Sequence, residues 1–217
     1  MKPLSNNLSE TIKRVNLGCG LVTPSNWINV DYSIGARLTR LPFLKPFLKK
    51  YRVFGINWSD GVLIHNLLKP LPWPDNSIDV AYSSHTLEHM TPEEGVRLLQ
   101  ECYRTLKPNG IIRIVVPDLE VIVKDYVAGE LSSLEFIDNL GMSSKQPGDT
   151  AIKKLLTPYF RFPHRCMYDL PSLMDAMRRV GFTAHERASM DSDIPGIADV
   201  ELENRTDRAV IVEGRKS

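Results

Sequence analysis

Cysteine is scarce in this chain of 217 residues: Cys19, Cys102 and Cys166 stand far apart. An odd count with no C-x-x-C pair argues against a disulfide framework and a cysteine zinc site, and suits a reducing cytoplasm. Long apolar runs are missing too. The cleanest, within "IIRIVV" at 111–116, falls far short of a membrane span. The opening "MKPLSNNLSE" holds no apolar stretch of the kind a secretory signal needs. A net charge of +1 leaves no excess of one sign, so nucleic acid is not an expected partner. Internal repeats and low-complexity tracts are absent as well. Acids are absent between Asp31 and Asp60, and that gap holds "ARLTRLPFLKPFLKKYRVF".

Short apolar strands alternate with helical patterns along the rest. "RVNL" runs into the turn Gly18-Cys19-Gly20, and "WINVDY" is a second strand that ends in Asp31. "GVLIHNLL" reads as a third strand, "LPWPDNS" as a turn, and "IDVAYSS" as a buried strand. Thr91-Pro92-Glu93-Glu94 starts a helix: a capping threonine, proline at the first helical position, glutamate three after the cap. Val96, Leu99, Cys102 and Leu106 are its core positions, and Pro108-Asn109-Gly110 stops it before the buried strand "IIRIVV". Helices are expected near 119–128 and 133–140, then a polar loop at 143–150. A further helix over 170–179 is capped by Asp169 and closed by Gly181. "FTAHERA" and "RAVIVEG" are the last strands. The class is α/β, with a mostly parallel sheet in one domain over 1–217.

Ligands of open α/β sheets bind at the carboxyl ends of strands. Gly18-Cys19-Gly20 lies at such an end, and an acid ending the next strand can accept both hydroxyls of a ribose. This pattern suits a nucleoside-containing cofactor. It is not the dinucleotide fingerprint. The third glycine is missing, and Asp31 lies eleven positions after Gly20, where that fingerprint needs about 20. The loop "LVTPSNW" therefore replaces most of the first helix.

"SSHTLEHM" at 83–90 contains H-x-x-E-H: His85, Glu88 and His89. On a sustained helix this is the inverted zinc-peptidase signature. Here about one and a half turns fit between the strand and the Thr91 cap, and no third ligand is evident. A metal is not expected, and a zinc metallopeptidase is the competing enzyme reading. A non-catalytic cofactor-binding module is the competing non-enzyme reading.

Three segments together, "VNLGCG…WINVDYS", "IHNLLKPLPWPDNSIDVAYSSHTLEHM" and "ECYRTLKPNGIIRIVVPDLE", resemble the class I S-adenosylmethionine-dependent methyltransferases. The nearest kin are the type 11-like predicted methyltransferases, often met beside glycan-synthesis enzymes. The resemblance covers about residues 13–118, with weaker echoes at "HRCMYD" and "LMDAMRRVGF". It implies a doubly wound, Rossmann-like sheet of seven mostly parallel strands, the last antiparallel. It also implies S-adenosylmethionine as cofactor and methyl transfer to a small-molecule or glycan acceptor, at oxygen. Similar methyltransferases carry "LEH" at this place without a metal.

Carried over by position, Gly18, Cys19 and Gly20 border the methionine part of the cofactor, Asp31 takes the ribose, and Tyr32 lies beside ribose and adenine. Asn66 stands where the family usually has an acid facing the adenine amine, and the backbone of Leu67 meets the adenine ring. Ser83 and Ser84 approach the cofactor's amino group and methyl. Removal of a proton from an acceptor hydroxyl suits a histidine. His85, just past the fourth strand, is the first candidate for that role and His164 the second, with Arg165 and Tyr168 as acceptor contacts. Glu88 and His89 are expected to brace the loop. The helical region at about 118–168 lies on the acceptor side. The basic, aromatic insertion at about 33–59 is a lid. Its stretch 37–54 could also touch an anionic membrane surface or a phosphate-linked acceptor.

Overall fold

The computed structural model describes residues 12–38, 40, 59–142 and 163–217. Most of the basic insertion, and the polar loop expected at 143–150, lie outside the described residues. Seven strands form one sheet: β1 Arg14–Leu17, β2 Ile28–Asp31, β3 Leu63–Ile64, β4 Ile78–Ser84, β5 Leu106–Pro117, β6 Phe182–Glu186 and β7 Ala209–Lys216. Their order is β3-β2-β1-β4-β5-β7-β6. Neighbours from β3 through β5 are parallel, while β7 runs antiparallel to both β5 and β6. The chain winds outward from β1 to β3, then returns to β4 on the other side of β1. The switch point therefore lies between β1 and β4, and a crevice opens there at their carboxyl ends. No helix separates β1 from β2, so the short spacing from glycine turn to acid is spanned by loop and turn.

Six α-helices are described: α1 Ile34–Leu38, α2 Pro92–Thr105, α3 Leu119–Val127, α4 Ser133–Asn139, α5 Leu170–Val180 and α6 Glu203–Thr206. The expected capping box opens α2, with the Thr91 hydroxyl accepting from Glu94 N–H and the Glu94 carboxylate accepting from Thr91 N–H. Its buried face carries Leu98, Leu99 and Cys102; Val96 is only half-buried. A second box, Asp169 with Ser172, opens α5, and Gly181 closes it in the left-handed region at φ +116°. Leu173 and Met177 of α5 share one core with the α2 face.

Two details depart from the sequence reading. Pro108-Asn109-Gly110 does not precede β5 but bulges within it. Ile78 faces Leu106 and Val80 faces Ile111, so the triplet is looped out, with Asn109 at φ +64°. The third strand shrinks to two residues, because the Asn66 side chain accepts from Leu68 N–H at 3.0 Å and turns the chain.

Alternation along the strands feeds two cores. Ile112, Ile114 and Val116 of β5 face the α2–α5 side. Ile111 and Val115 face the other side, with Trp27, Tyr82, Ile194, Ile197 and Val200. Arg113, fully buried, points into that second layer. Its guanidinium grips Glu201 with two bonds of 2.7 Å and donates to Glu213, its cross-strand partner on β7, at 3.0 Å. It also donates to the carbonyls of Ala188 and Asp191. One buried cation thus fastens the irregular segment 187–202 across the sheet.

Candidate active site

The turn after β1 is built for close approach. Gly18 and Cys19 N–H both donate to Val30 C=O at 2.9 Å, which ties the turn to β2. Gly18 and Gly20 lie at φ +72° and +53°. A β-carbon on Gly18 would sit 2.1 Å from Thr86 Oγ1, whereas one on Gly20 would meet nothing within 4 Å. Gly18 therefore lets two loops touch, and Gly20 faces open space. Gly20 N–H donates to Asp31 Oδ2 at 2.9 Å and Ser33 N–H to Asp31 Oδ1 at 2.7 Å. Each carboxylate oxygen keeps further acceptor capacity. Asp31 thus holds the turn and can still receive a diol.

Other residues assigned to the cofactor divide by what already engages them. The Ser84 hydroxyl is buried with no hydrogen-bond partner and lines a small cleft with Asn16, Gly18, Cys19, Leu202 and Arg205. The Ser83 hydroxyl instead donates to Leu17 C=O at 3.2 Å and joins β4 to β1. Tyr32 is exposed with the Arg37 guanidinium 4.8 Å above its ring. Leu67 places its side chain in the core. Burial, reinforced by Asp31, pushes the Cys19 thiol up to about 12, so it acts as a neutral lining group. An open glycine turn, an acid with spare acceptor capacity and an orphaned hydroxyl fit a nucleoside cofactor carrying an amino acid.

H-x-x-E-H does not form a zinc-peptidase helix. Leu87–His89 is a single 3-10 turn, and His85 precedes it at φ +50°. His85 Nδ1 lies 3.3 Å from Oε1 of Glu88, which is wholly buried, and Nε2 lies 2.8 Å from Arg205 C=O. Neither Glu88 oxygen makes an aligned hydrogen bond, so the His85–Glu88 contact is one of charge. Burial pulls the imidazolium of His85 down, but Glu88 and the Arg205 carbonyl outweigh it and hold its pKa above the ordinary histidine value. His89 turns away from His85. Its Nδ1 meets Pro163 C=O at 3.3 Å, and its ring packs edge-on against His164 at 5.0 Å. Burial leads the causes that hold His164 below the usual histidine range, against the pull of Glu88. One ligand atom each of Glu88, His89 and His164 lie within 4.8 Å of one another. His164, 75 residues along the chain from His89, joins this group, which no local spacing marks.

The structure places the two acceptor candidates differently. Tyr168 is buried in the core beneath Gly95, and its backbone bridges Asp118. Arg165 is half-exposed and pairs with Glu94 at 2.7 Å. Conversely, Arg205 and Leu202 line the cleft from the segment before β7. No local pattern marks them, because long-range contacts, the Arg113 anchor and the packing of Ile194, Ile197 and Val200 among them, carry that segment across the sheet. Thr86 closes against Gly18, and its hydroxyl lies 3.4 Å from Leu17 C=O.

Residues 15–114 match the family described as a methyltransferase domain. The chain is 28% identical over 125 residues to the phosphoethanolamine N-methyltransferase of Plasmodium falciparum, covering 57% of this chain and 42% of that protein. It is 27% identical over 79 residues to a probable S-adenosylmethionine-dependent methyltransferase of Mycolicibacterium smegmatis, covering 31% of this chain and 30% of that one. It spans less than half the length of either curated relative. Among solved structures, the YcgJ protein of Bacillus subtilis has the same fold, with a TM-score of 0.50 at 13% identity over 95% of this chain and 92% of that one. Strand order, reversed seventh strand, glycine turn and the match over residues 15–114 agree: the chain is similar to the class I S-adenosylmethionine-dependent methyltransferases. S-adenosylmethionine is the cofactor of that family.

Proposed function

We propose that the protein transfers a methyl group from S-adenosylmethionine to a hydroxyl of a small molecule or glycan. The observation that carries this reading is the His85–Glu88 pair, a buried carboxylate 3.3 Å from an imidazole at the carboxyl end of β4. Gly18, Gly20, Asp31 and Ser84 would hold the cofactor, which supplies an electrophilic methyl on a sulfonium when bound. Glu88, 3.3 Å from His85 Nδ1, would stabilise by its charge the imidazolium that forms when the ring takes a proton. Nε2 then faces outward toward the Arg205 carbonyl. An acceptor hydroxyl replacing that carbonyl would pass its proton to Nε2 as its oxygen gains the methyl. The described helices at 119–127 and 133–139 belong to the acceptor side in this reading. Three free cysteines suit a reducing cytoplasm. The Plasmodium relative, named for a nitrogen acceptor, supports amines as the second reading.

The experiment pairs labelled cofactor with pools of glycans, small hydroxy acids and amines. His85→Ala should lower turnover by about 10²–10⁴-fold while leaving S-adenosylhomocysteine affinity nearly intact. Asp31→Ala should do the reverse and weaken calorimetric affinity, at about 0.5–1.5 kcal/mol or more for each hydroxyl bond lost. Normal turnover by His85→Ala removes it as the base. Unchanged affinity in a folded Asp31→Ala removes the cofactor assignment. Methylation of amines alone replaces oxygen by nitrogen.

A further inference from the structure

The cluster of Glu88, His89 and His164 brings one ligand atom of each residue close to those of the other two. Glu88 lies at the centre of the 3-10 turn after β4, with no exposed surface. Both its carboxylate oxygens are buried without a hydrogen bond. One of them faces His85, which leaves the other for a further cation. The two histidines have their tautomers set by backbone. A carbonyl only accepts, so Nδ1–H of His89 donates to Pro163 and Nδ1–H of His164 donates to Leu140. Each neutral ring then carries its lone pair on Nε2. Donation of the other ring N–H to a carbonyl is the arrangement that metal-ligating histidines show.

The backbone holds the two halves of the cluster together. Glu88 C=O accepts from Arg165 N–H at 2.7 Å and from Cys166 N–H at 3.1 Å, and His164 N–H donates to Gly141 C=O at 2.9 Å. The ligand atoms lie within 4.8 Å of one another. Zinc bonds of about 2.0–2.2 Å draw such atoms closer by about an ångström, within the reach of side-chain torsions. Two imidazoles and a carboxylate suit a divalent transition cation rather than magnesium, which prefers oxygen ligands.

We propose that Glu88, His89 and His164 bind one divalent transition cation of the zinc class, which clips segment 163–168 to the end of β4 beside the acceptor crevice. Peptide hydrolysis is not implied, because Glu88 is a ligand here and not a free base. The proposal shares Glu88 with the methyl-transfer reading but does not depend on it, and it is tested without activity. Tag-free protein is stripped with chelator and titrated calorimetrically with zinc, cobalt(II) and magnesium. Zinc should bind one to one, cobalt(II) should develop visible ligand-field bands, and magnesium should bind at least tenfold more weakly than zinc. His164→Ala, His89→Ala and Glu88→Gln should each weaken zinc at least tenfold, while His185→Ala, at an exposed site on β6, should leave it unchanged. Should the Glu88 variant fail to fold, the wild-type titration and His164→Ala still decide. Absence of stoichiometric zinc binding overturns the proposal, as does binding that His164→Ala leaves intact or a preference for magnesium.

Discussion

Gly18 and Gly20 sit two residues apart in the same left-handed conformation, yet they answer to different neighbours. A side chain at either costs about 1–2 kcal/mol in the backbone alone. Only at Gly18 does the added carbon collide, with Thr86 Oγ1 at 2.1 Å. Gly18→Ala should therefore lower the melting temperature more than Gly20→Ala, and adding Thr86→Ala should recover part of the loss. Gly20→Ala points into open space at the crevice, so its main effect should fall on S-adenosylhomocysteine affinity. Thermal unfolding and calorimetry on the same two variants check the pair. Equal melting temperatures with equal affinities would remove the distinction. The two glycines were legible in the sequence as a turn; which of them serves packing was not, because Thr86 reaches the turn from the loop after β4.

At the scale of elements, capping was read well because it is local. The boxes at Thr91–Glu94 and Asp169–Ser172 use residues three apart, and both form. Asp169→Ala should cost about 0.5–2 kcal/mol of stability. Hydrogen bonds from Ser172, first its hydroxyl and then its backbone N–H, hold the Asp169 carboxyl below its usual range. With the folded value depressed, this stabilisation is full above the unfolded value of about 3.9 and is lost as pH falls through the folded value. The stability gap between wild type and Asp169→Ala should therefore narrow in acid, as denaturant titrations from pH 7 to 2 would show. A gap that stays constant would assign the effect to helix propensity. Strand limits were read less well. The Asn66 turn cut β3 short through a bond two residues along, and the Pro108 triplet became a bulge, since its register depends on the partner strand β4.

Across the whole molecule, Arg113 is the residue whose consequences spread furthest. It sits amid "IIRIVV", and its side chain is wholly buried against Glu201 and Glu213. Glu201→Ala leaves a buried guanidinium half-paired and should cost about 3–5 kcal/mol in urea unfolding. The surface pair Arg179–Asp175 has both partners more than half exposed. Its Asp175→Ala variant should shift stability by less than about 1 kcal/mol. Similar costs for the two would refute the anchoring role. Through this anchor, Val200, Leu202 and Arg205 are brought to the crevice, so Glu201→Ala should also disturb the contact of Arg205 C=O with His85 Nε2.

By itself the sequence determined the class of sheet, the glycine turn, the acid that ends the second strand and the helix caps. These depend on period, spacing and turn chemistry within a few residues, which the chain writes out in order. Tertiary structure alone decided that H-x-x-E-H divides. His85 turns with Glu88 toward Arg205, and His89 turns toward His164. It also sent Tyr168 into the core and brought Arg205 to the crevice. The physical reason is distance along the chain. A histidine's partners are chosen by whichever carbonyl or carboxylate the fold delivers, and here these come from residues 140, 163 and 205.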